Sequence, residues 1–196
     1  MTSLAMIRHG PTQWTQEKRL QGRTDIPLND AGREMVSQWR VPAPIDHYRW
    51  VCSPLRRARE TAELLGAGDL EIEPRLIEMN YGNWEGSKLK DLRETLGEEM
   101  AMNESRGLDF LPEGGETPRA VQERLISWLH DVATDGRPIV TVAHHGIIRA
   151  LFSLATGWDM VGSPPEKFRW GAMHLFLIGP DGRISVDRIN ISILPA

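Results

Sequence analysis

Short apolar runs alternate with longer amphipathic stretches along this chain, and this alternation constrains the fold more than any other feature. The runs at 3–8 and 139–143 are continuously apolar, as is typical of strands covered on both faces. Strands that alternate with helices favour a layered α/β fold. The sequence therefore predicts an α/β protein, and its 196 residues suffice for one domain with a substantial core.

The remaining elements follow from the same patterns. Strands are predicted at 3–8, 48–52, 70–74, 139–143, 173–178 and 184–190. Helices are predicted at 30–40, from the Ser53-Pro54 start signal to about 65, from the Thr117-Pro118 start signal to 132, and at about 146–156. The segment 83–115, rich in Glu, Met, Asn and Gly, has a helical middle near 88–101. We expect it to form a short lid inserted over the sheet of a single domain, residues 1–196.

Composition and charge argue against several classes of function. No apolar run approaches the roughly 18–20 residues of a membrane span. The net charge is −4, from 23 basic and 27 acidic residues, and nucleic-acid binding usually requires a basic excess. The single cysteine, Cys52, provides neither an internal disulfide nor a metal cluster. The candidate active residue at position 9 leaves no room for a signal peptide, so we expect a cytoplasmic protein.

Polar, charged and imidazole side chains follow three of the predicted strands. They are Arg8-His9, then Ser53 with Arg56, Arg57 and Arg59, and finally His144-His145. Ligands of open α/β sheets bind beyond the carboxyl ends of the strands. Side by side, these ends would form a cationic cluster that a phosphate completes, because guanidinium forks and helix N-termini both favour phosphate.

Each group also has a simpler interpretation. The three arginines are equally typical of a solvated helix face, and Glu78 of an exposed loop carboxylate. A metal site at His144-His145 is disfavoured, because adjacent residues on a strand point to opposite faces. Spacing alone does not choose between Arg56 and Arg57, or between the two histidines.

Five stretches resemble the histidine phosphatase superfamily, which includes phosphoglycerate mutases, fructose-bisphosphatases and α-ribazole phosphatases. They are 8–14 with 20–29, then 53–62, 78–86, 114–117 and 144–149. The chain looks most similar to the small α-ribazole and broad-specificity phosphatases. The resemblance implies a phosphoglycerate mutase-like three-layer α/β/α sandwich, with a mostly parallel central sheet of about six strands and a short helical lid.

The resemblance also implies a role for each motif residue. His9 would be the nucleophile and become phosphohistidine, with Arg8 and Arg57 clamping the phosphoryl oxygens. His144 would donate to the phosphoryl group. Glu78 would be the general acid and then the base. A carboxyl group near two arginines should have a lowered pKa, whereas an acid must hold a proton; we expect the bound phosphate to offset the arginines.

Two positions depart from the family pattern. Thr15 stands where the family often has a phosphate-binding asparagine, so Gln21 and the neighbouring Gly22 are candidates for phosphate or substrate contacts alongside it. His145 replaces the usual glycine and adds a titratable group at the pocket rim, where it would contact substrate or simply be a satisfied polar residue. No metal and no cofactor is expected.

The resemblance leaves three functions open. Family mutases have longer, more basic lids, whereas the only basic residues of 83–115 are Lys88, Lys90, Arg93 and Arg106. We therefore expect a metal-independent phosphomonoesterase acting on a small phosphorylated molecule. The alternatives are a phosphoglycerate mutase-type enzyme and a catalytically silent phosphate-binding regulator. The run 184–194 alternates like a strand and would be a sheet edge or a homodimer interface.

Overall fold

A six-stranded sheet forms the centre of the computed structural model, which describes residues 1–42, 45 and 47–194. The strands are β1 (Thr2–Arg8), β2 (Arg49–Cys52), β3 (Leu70–Ile72), β4 (Ile139–Ala143), β5 (Ala172–Ile178) and β6 (Ile184–Ser192). Their order across the sheet is β3-β2-β4-β1-β5-β6. All six predicted strands are present, with ends that differ by one or two residues at most.

The sheet is mixed, and the prediction of a mostly parallel sheet was wrong. Strands β3, β2, β4 and β1 pair in parallel, whereas β5 is antiparallel to both β1 and β6. The antiparallel β5–β6 pair is a hairpin closed by the turn at 179–183, in which Gly179 N donates to Arg183 O at 2.8 Å. Such a short connection permits only antiparallel neighbours, since parallel strands need a crossover of a dozen or more residues.

Seven α-helices surround the sheet in the described residues. They are α1 (Gln13–Gln16), α2 (Asp30–Ser37), α3 (Arg56–Leu64), α4 (Leu89–Leu96), α5 (Glu98–Glu104), α6 (Pro118–Asp135) and α7 (His145–Thr156). Thr117 caps α6 by accepting from Ala120 N, and Pro118 takes the first helical position, as predicted. The predicted helical middle of 83–115 is two helices, because Gly97 with φ +52° separates α4 from α5.

The predicted start of α3 at Ser53-Pro54 was two residues early. Ser53 still belongs to the sheet, since its N–H donates to Val142 O at 3.1 Å. Its hydroxyl is engaged by the ring of His144 and by Leu55 N, so it does not cap a helix. Leu55 is the N-cap residue instead. The Ser53 hydroxyl is committed to His144 and Leu55, so it does not cap α3, and this helix begins two residues later than predicted.

The core lies in two layers, one on each face of the sheet. Leu4 and Met6 of β1 pack with α6 and α7, whereas Ala5 and Ile7 pack with α2 and α3. This alternation along one buried strand confirms the three-layer α/β/α architecture. Burying each large aliphatic side chain contributes about 1.5–3 kcal/mol, so the two layers hold the central strands rigidly. No helix in the described part of the chain is long and apolar enough to cross a membrane.

Candidate active site

The carboxyl ends of β1, β4 and β2 meet at one edge of the sheet. Strand β4 lies between the other two. Its backbone hydrogen bonds continue to the residue that follows β1 and to the residue that follows β2. His9 N donates to Ala143 O at 3.0 Å, just as Ser53 N donates to Val142 O. The structure therefore brings His9, Ser53 and His144 together, although they are up to 135 positions apart in the sequence.

His9 is a buried imidazole with one nitrogen committed. Its Nδ1 lies 2.7 Å from Gly10 O, and a carbonyl only accepts, so Nδ1 carries the hydrogen and Nε2 keeps a free lone pair. Burial, followed by the charges of Arg57 and Arg8, lowers the pKa of His9 well below 6.5. The ring is therefore neutral at physiological pH, the form in which imidazole acts as a nucleophile.

The two arginines beside His9 are held in different ways. Arg57 is fully buried, and its terminal nitrogens donate to Thr24 O at 2.9 Å and to Gly22 O at 2.7 Å. Arg8 makes no side-chain hydrogen bond to any described residue; its guanidinium lies 3.7 Å from the ring centre of Trp170. In the described part of the chain, the Nε atoms of both arginines are buried and unpartnered.

His144 faces His9, with 5.2 Å between the ring centres. Its Nε2 lies 2.6 Å from the Ser53 hydroxyl, which also accepts from Leu55 N at 3.3 Å. Because this hydroxyl accepts from the backbone, its own hydrogen is free to be donated to Nε2, and in that tautomer the ring hydrogen of His144 is on Nδ1. That Nδ1 is buried and has no partner among the described residues. Burial and the nearby Arg57 lower the pKa of His144 well below 6.5.

Glu78 is the carboxyl group of this cluster. It is 7% exposed, and its oxygens accept from Met79 N at 2.9 Å and from Gly146 N, in the first turn of α7, at 3.2 Å. Burial raises the pKa of Glu78, and this effect outweighs the two backbone N–H donors and the charges of Arg57 and Arg8. The pKa lowering expected from the arginines alone is therefore wrong, because desolvation dominates.

Gly22 and Glu85 organise the turn that holds Arg57. Gly22 has φ +51°, and a Cβ there would collide with the Glu85 carboxylate. That carboxylate accepts from Arg23 N and Thr24 N, both at 2.8 Å. The turn thus presents the carbonyl oxygens of Gly22 and Thr24 to Arg57. Among the described residues, the role of Gly22 is therefore to orient Arg57.

Thr15 and Gln21 belong to a hydrogen-bond network at the start of α1. Thr15 Oγ1 completes a capping box with Thr12, and Gln21 Nε2 donates to Thr15 Oγ1 at 3.1 Å. Gln21 Oε1 in turn accepts from the Thr12 hydroxyl at 2.9 Å. No hydrogen bond among the described residues joins either side chain to His9. Their role in binding phosphate stays a prediction.

A cavity of about 360 Å³ adjoins the cluster on the side of Glu78. Its apolar lining includes Leu20, Met79, Tyr81, Leu89, Phe110, Val121 and Met160, and its polar lining includes Arg93, Glu104, His145, Arg149 and Ser163. Gly146, which holds the Glu78 carboxyl group, is also part of the wall. Both helices of 83–115 contribute to the opposite wall, α4 through Leu89 and Arg93 and α5 through Glu104.

His145 lines this cavity instead of the reactive cluster. It is half-buried, and burial, followed by the charges of Arg8 and Arg149, lowers its pKa to about 3. Its ring meets Phe168 edge-on at 6.3 Å. A neutral His145 therefore faces any molecule that enters the cavity.

Sequence reasoning missed three neighbours of the cluster, Glu85, Arg149 and Trp170, and did not predict the contact between Ser53 and His144. Ser53, Glu85 and Arg149 lie inside the quoted motifs, so a role for them was within reach. Trp170 has no such signal, because it stands in a loop between α7 and β5 that matches no motif. Of the aromatic residues in the first and third motifs, Tyr81 lines the cavity, whereas Trp84 is buried against Phe110 and Trp14 packs over Gly86.

The chain is similar to known proteins along most of its length. A family model described as the histidine phosphatase superfamily (branch 1) matches residues 4–190. Glucosyl-3-phosphoglycerate phosphatase of Mycolicibacterium vanbaalenii is 33% identical over 178 residues, which cover 81% of this chain and 78% of that protein. A probable phosphoglycerate mutase of Cronobacter sakazakii is 32% identical over 170 residues, 80% of this chain and 76% of that one.

A solved structure extends the similarity to three dimensions. The mycobacterial glucosyl-3-phosphoglycerate phosphatase in complex with VO3 superposes with a TM-score of 0.77 at 25% sequence identity. The match covers 98% of this chain and 100% of that one. The fold is therefore shared along essentially the whole chain.

Proposed function

Because the chain belongs to the histidine phosphatase superfamily (branch 1), as its motifs predicted, we propose that it hydrolyses small phosphate monoesters through a phosphohistidine on His9. One observation carries this proposal. In the described residues, three buried nitrogens without partners, Arg8 Nε, Arg57 Nε and His144 Nδ1, accompany a neutral imidazole. Buried donors of this kind require an acceptor. A phosphoryl group supplies oxygens for all of them.

In the first step, Nε2 of His9 attacks phosphorus and the bond from phosphorus to the ester oxygen breaks. The leaving alkoxide takes the proton of Glu78, which becomes a carboxylate. The phosphoryl group passes through a loose transition state, so positioning and electrostatic stabilisation carry most of the rate. Arg8, Arg57 and His144 provide these as the charge on the oxygens develops.

In the second step, water attacks the phosphohistidine. The Glu78 carboxylate accepts a proton from this water, the bond between nitrogen and phosphorus breaks, and inorganic phosphate leaves. His9 returns to its neutral form and Glu78 to its acid form. Covalent capture replaces one difficult displacement by two easier ones.

The cavity beside Glu78 is the site for the alcohol part of the substrate. Its volume lies within the range of small-molecule pockets. Within the described part of the chain, Arg149 reaches no carboxylate at salt-bridge distance, and its guanidinium lies 5.0 Å from the ring centre of Trp158. A leaving group that carries a carboxylate would pair with Arg149 in this wall of the cavity. The relative named for glucosyl-3-phosphoglycerate, an acid-bearing ester, supports the same class.

The basic residues of 83–115 favour hydrolysis over mutase chemistry. Arg93 Nη2 donates to Glu104 Oε1 at 2.7 Å and its Nε donates to both Glu104 oxygens, at 2.9 and 3.2 Å, and Lys90 lies 3.5 Å from Glu94. These cations already have carboxylate partners, so they bind a second acidic group of a substrate less readily. A mutase must also exclude water to preserve its phosphohistidine, which a short lid does less well.

The test is phosphate release from a panel of metabolite monoesters and p-nitrophenyl phosphate. We expect turnover by the wild type and none by His9→Ala. Substitution of the exposed His130, which lies on the surface of α6, is the matched control and should leave turnover intact. Phosphohistidine should be recovered from alkali-quenched wild type and be absent from His9→Ala. Activity retained by His9→Ala would refute the proposal.

The mutase alternative has its own assay. The enzyme is given 3-phosphoglycerate with 2,3-bisphosphoglycerate as primer, and 2-phosphoglycerate and inorganic phosphate are measured together. Release of phosphate without isomerisation is the expected result. Rapid isomerisation with little phosphate release would identify a mutase. Absence of both activities, and of turnover on the wider panel, would favour a phosphate-binding regulator.

A further inference from the structure

Arg8 is held by an aromatic ring rather than by hydrogen bonds. Its guanidinium carbon lies 3.7 Å from the centre of the Trp170 ring, and no described residue accepts a hydrogen bond from its side chain. Arg57, the other arginine of the cluster, is fixed instead by the carbonyls of Gly22 and Thr24. The two arginines therefore depend on different neighbours for their orientation.

Stacking orients a guanidinium without consuming its donors. The ring contacts the flat face of the group, while the N–H bonds lie in its plane and stay free for an oxyanion. Arg57, by contrast, spends two donors on backbone carbonyls. Arg8 can therefore offer its whole fork to a phosphoryl group, provided that Trp170 keeps the plane fixed.

The position of Trp170 is itself well determined. Arg169 N donates to Asn190 Oδ1 at 2.8 Å, and Asn190 Nδ2 donates to Lys167 O at 2.9 Å. On the other side, Ile193 N donates to Gly171 O at 3.0 Å. The loop before β5 is thus tied to β6 on both sides of the tryptophan.

Trp170 also borders the proposed nucleophile. Its ring meets the His9 ring edge-on, with 6.2 Å between centres and an interplanar angle of 85°. The residue remains 36% exposed, so one part of the indole faces solvent at the mouth of the cluster.

We propose that Trp170 is a positioning residue, which acts through Arg8 by holding its guanidinium in the plane that binds the phosphoryl oxygens. This inference rests on the proposed phosphate site. It requires that the aromatic face, and not merely an apolar cover, contributes to oxyanion binding. A cation over an indole contributes enough to change binding by about 2- to 30-fold.

The test measures vanadate binding by calorimetry and kcat/KM for p-nitrophenyl phosphate. Trp170→Leu keeps an apolar cover but removes the ring, so we expect both quantities to fall about 2- to 30-fold. Trp170→Phe keeps a weaker ring and should lie between the leucine variant and the wild type. Trp50→Leu, which changes another half-buried tryptophan on β2, should leave vanadate affinity unchanged. Thermal denaturation of every variant separates binding effects from unfolding.

A double-mutant cycle tests the route through Arg8. In an Arg8→Gln background, Trp170→Leu should cause no further loss of vanadate affinity, because its target is gone. An equal loss in both backgrounds would overturn the inference, as would wild-type affinity in Trp170→Leu alone. A wild type that binds vanadate but hydrolyses no ester would refute the proposed function and leave this cycle decisive. A wild type that binds no vanadate would overturn both proposals.

Discussion

Replacing Glu78 by glutamine should separate substrates by how much their leaving groups need a proton. An alkoxide is about as basic as hydroxide, and positioned acid catalysis contributes about 10²- to 10⁴-fold. We therefore expect kcat/KM for alkyl phosphates to fall by that factor in Glu78→Gln; kcat/KM reports the steps through release of the leaving group and so excludes the later attack of water, in which Glu78 is the base. Nitrophenolate leaves without a proton, so kcat/KM for p-nitrophenyl phosphate should fall by less than about tenfold, as for one lost neutral hydrogen bond.

The surroundings of Glu78 predict a second effect of the same change. Both of its oxygens accept from backbone N–H groups, at 2.9 and 3.2 Å. The amide NH₂ of a glutamine would face one of these donors, which would lower the free energy of unfolding by about 1–3 kcal/mol. Urea denaturation measures this loss, and kinetics are then compared well below the unfolding midpoint.

Glu73 provides a matched control outside the site. It is 8% exposed, almost as buried as Glu78, and its carboxylate accepts from Arg75 N at 2.9 Å. Glu73→Gln should lower stability without any dependence on the leaving group. Equal losses of kcat/KM on alkyl and aryl phosphates in Glu78→Gln, or an unchanged kcat/KM for alkyl phosphates, would refute the assignment of Glu78 as the acid.

Three further predictions concern the fold around the site. Gly22→Ala should lower the free energy of unfolding by about 1–3 kcal/mol, measured in urea, and weaken vanadate binding, because alanine is strained at φ +51° and collides with Glu85. Leu129→Ala on α6 should cost about 2–5 kcal/mol in the same assay while kcat stays at the wild-type value, because it leaves a cavity far from the reacting groups. Acidification below about pH 6.5 should destabilise the protein. The lowered pKa values of His9 and His144 mean that the unfolded chain binds these protons first, so denaturation midpoints should fall between pH 7 and pH 5.

The strands were predictable because the burial of each strand is reflected in the pattern of its own residues. Strands β1 and β4 are covered on both faces and are apolar without interruption, so the pattern alone identifies them. The direction of β5 was not predictable in this way, since direction depends on which strand the chain returns to after α7. The turn at Pro180-Asp181-Gly182 is nevertheless a hairpin signal, and it would have indicated an antiparallel pair.

The reactive cluster was predictable only through motifs, because its members come from three strand ends and a distant loop. Ser53 illustrates the limit of local reasoning: its sequence context predicts a helix cap, whereas its hydroxyl lies 2.6 Å from His144. The pKa of Glu78 is a similar case. Sequence identifies the neighbouring arginines, but the burial that outweighs them exists only in the folded chain.

Burial sets the two protonation states that this chemistry needs before any substrate arrives. It lowers the pKa of His9 and raises that of Glu78, so it favours the neutral form of the nucleophile and the protonated form of the acid. A bound phosphate dianion would raise the pKa of both groups, with opposite consequences for catalysis. Its charge favours the proton on Glu78, which helps catalysis, but also favours a proton on His9, which would block attack. Arg8 and Arg57 oppose the second effect, since their charges lower the pKa of His9. The arginines therefore serve the nucleophile as well as the phosphate, and the contacts that orient them matter for both.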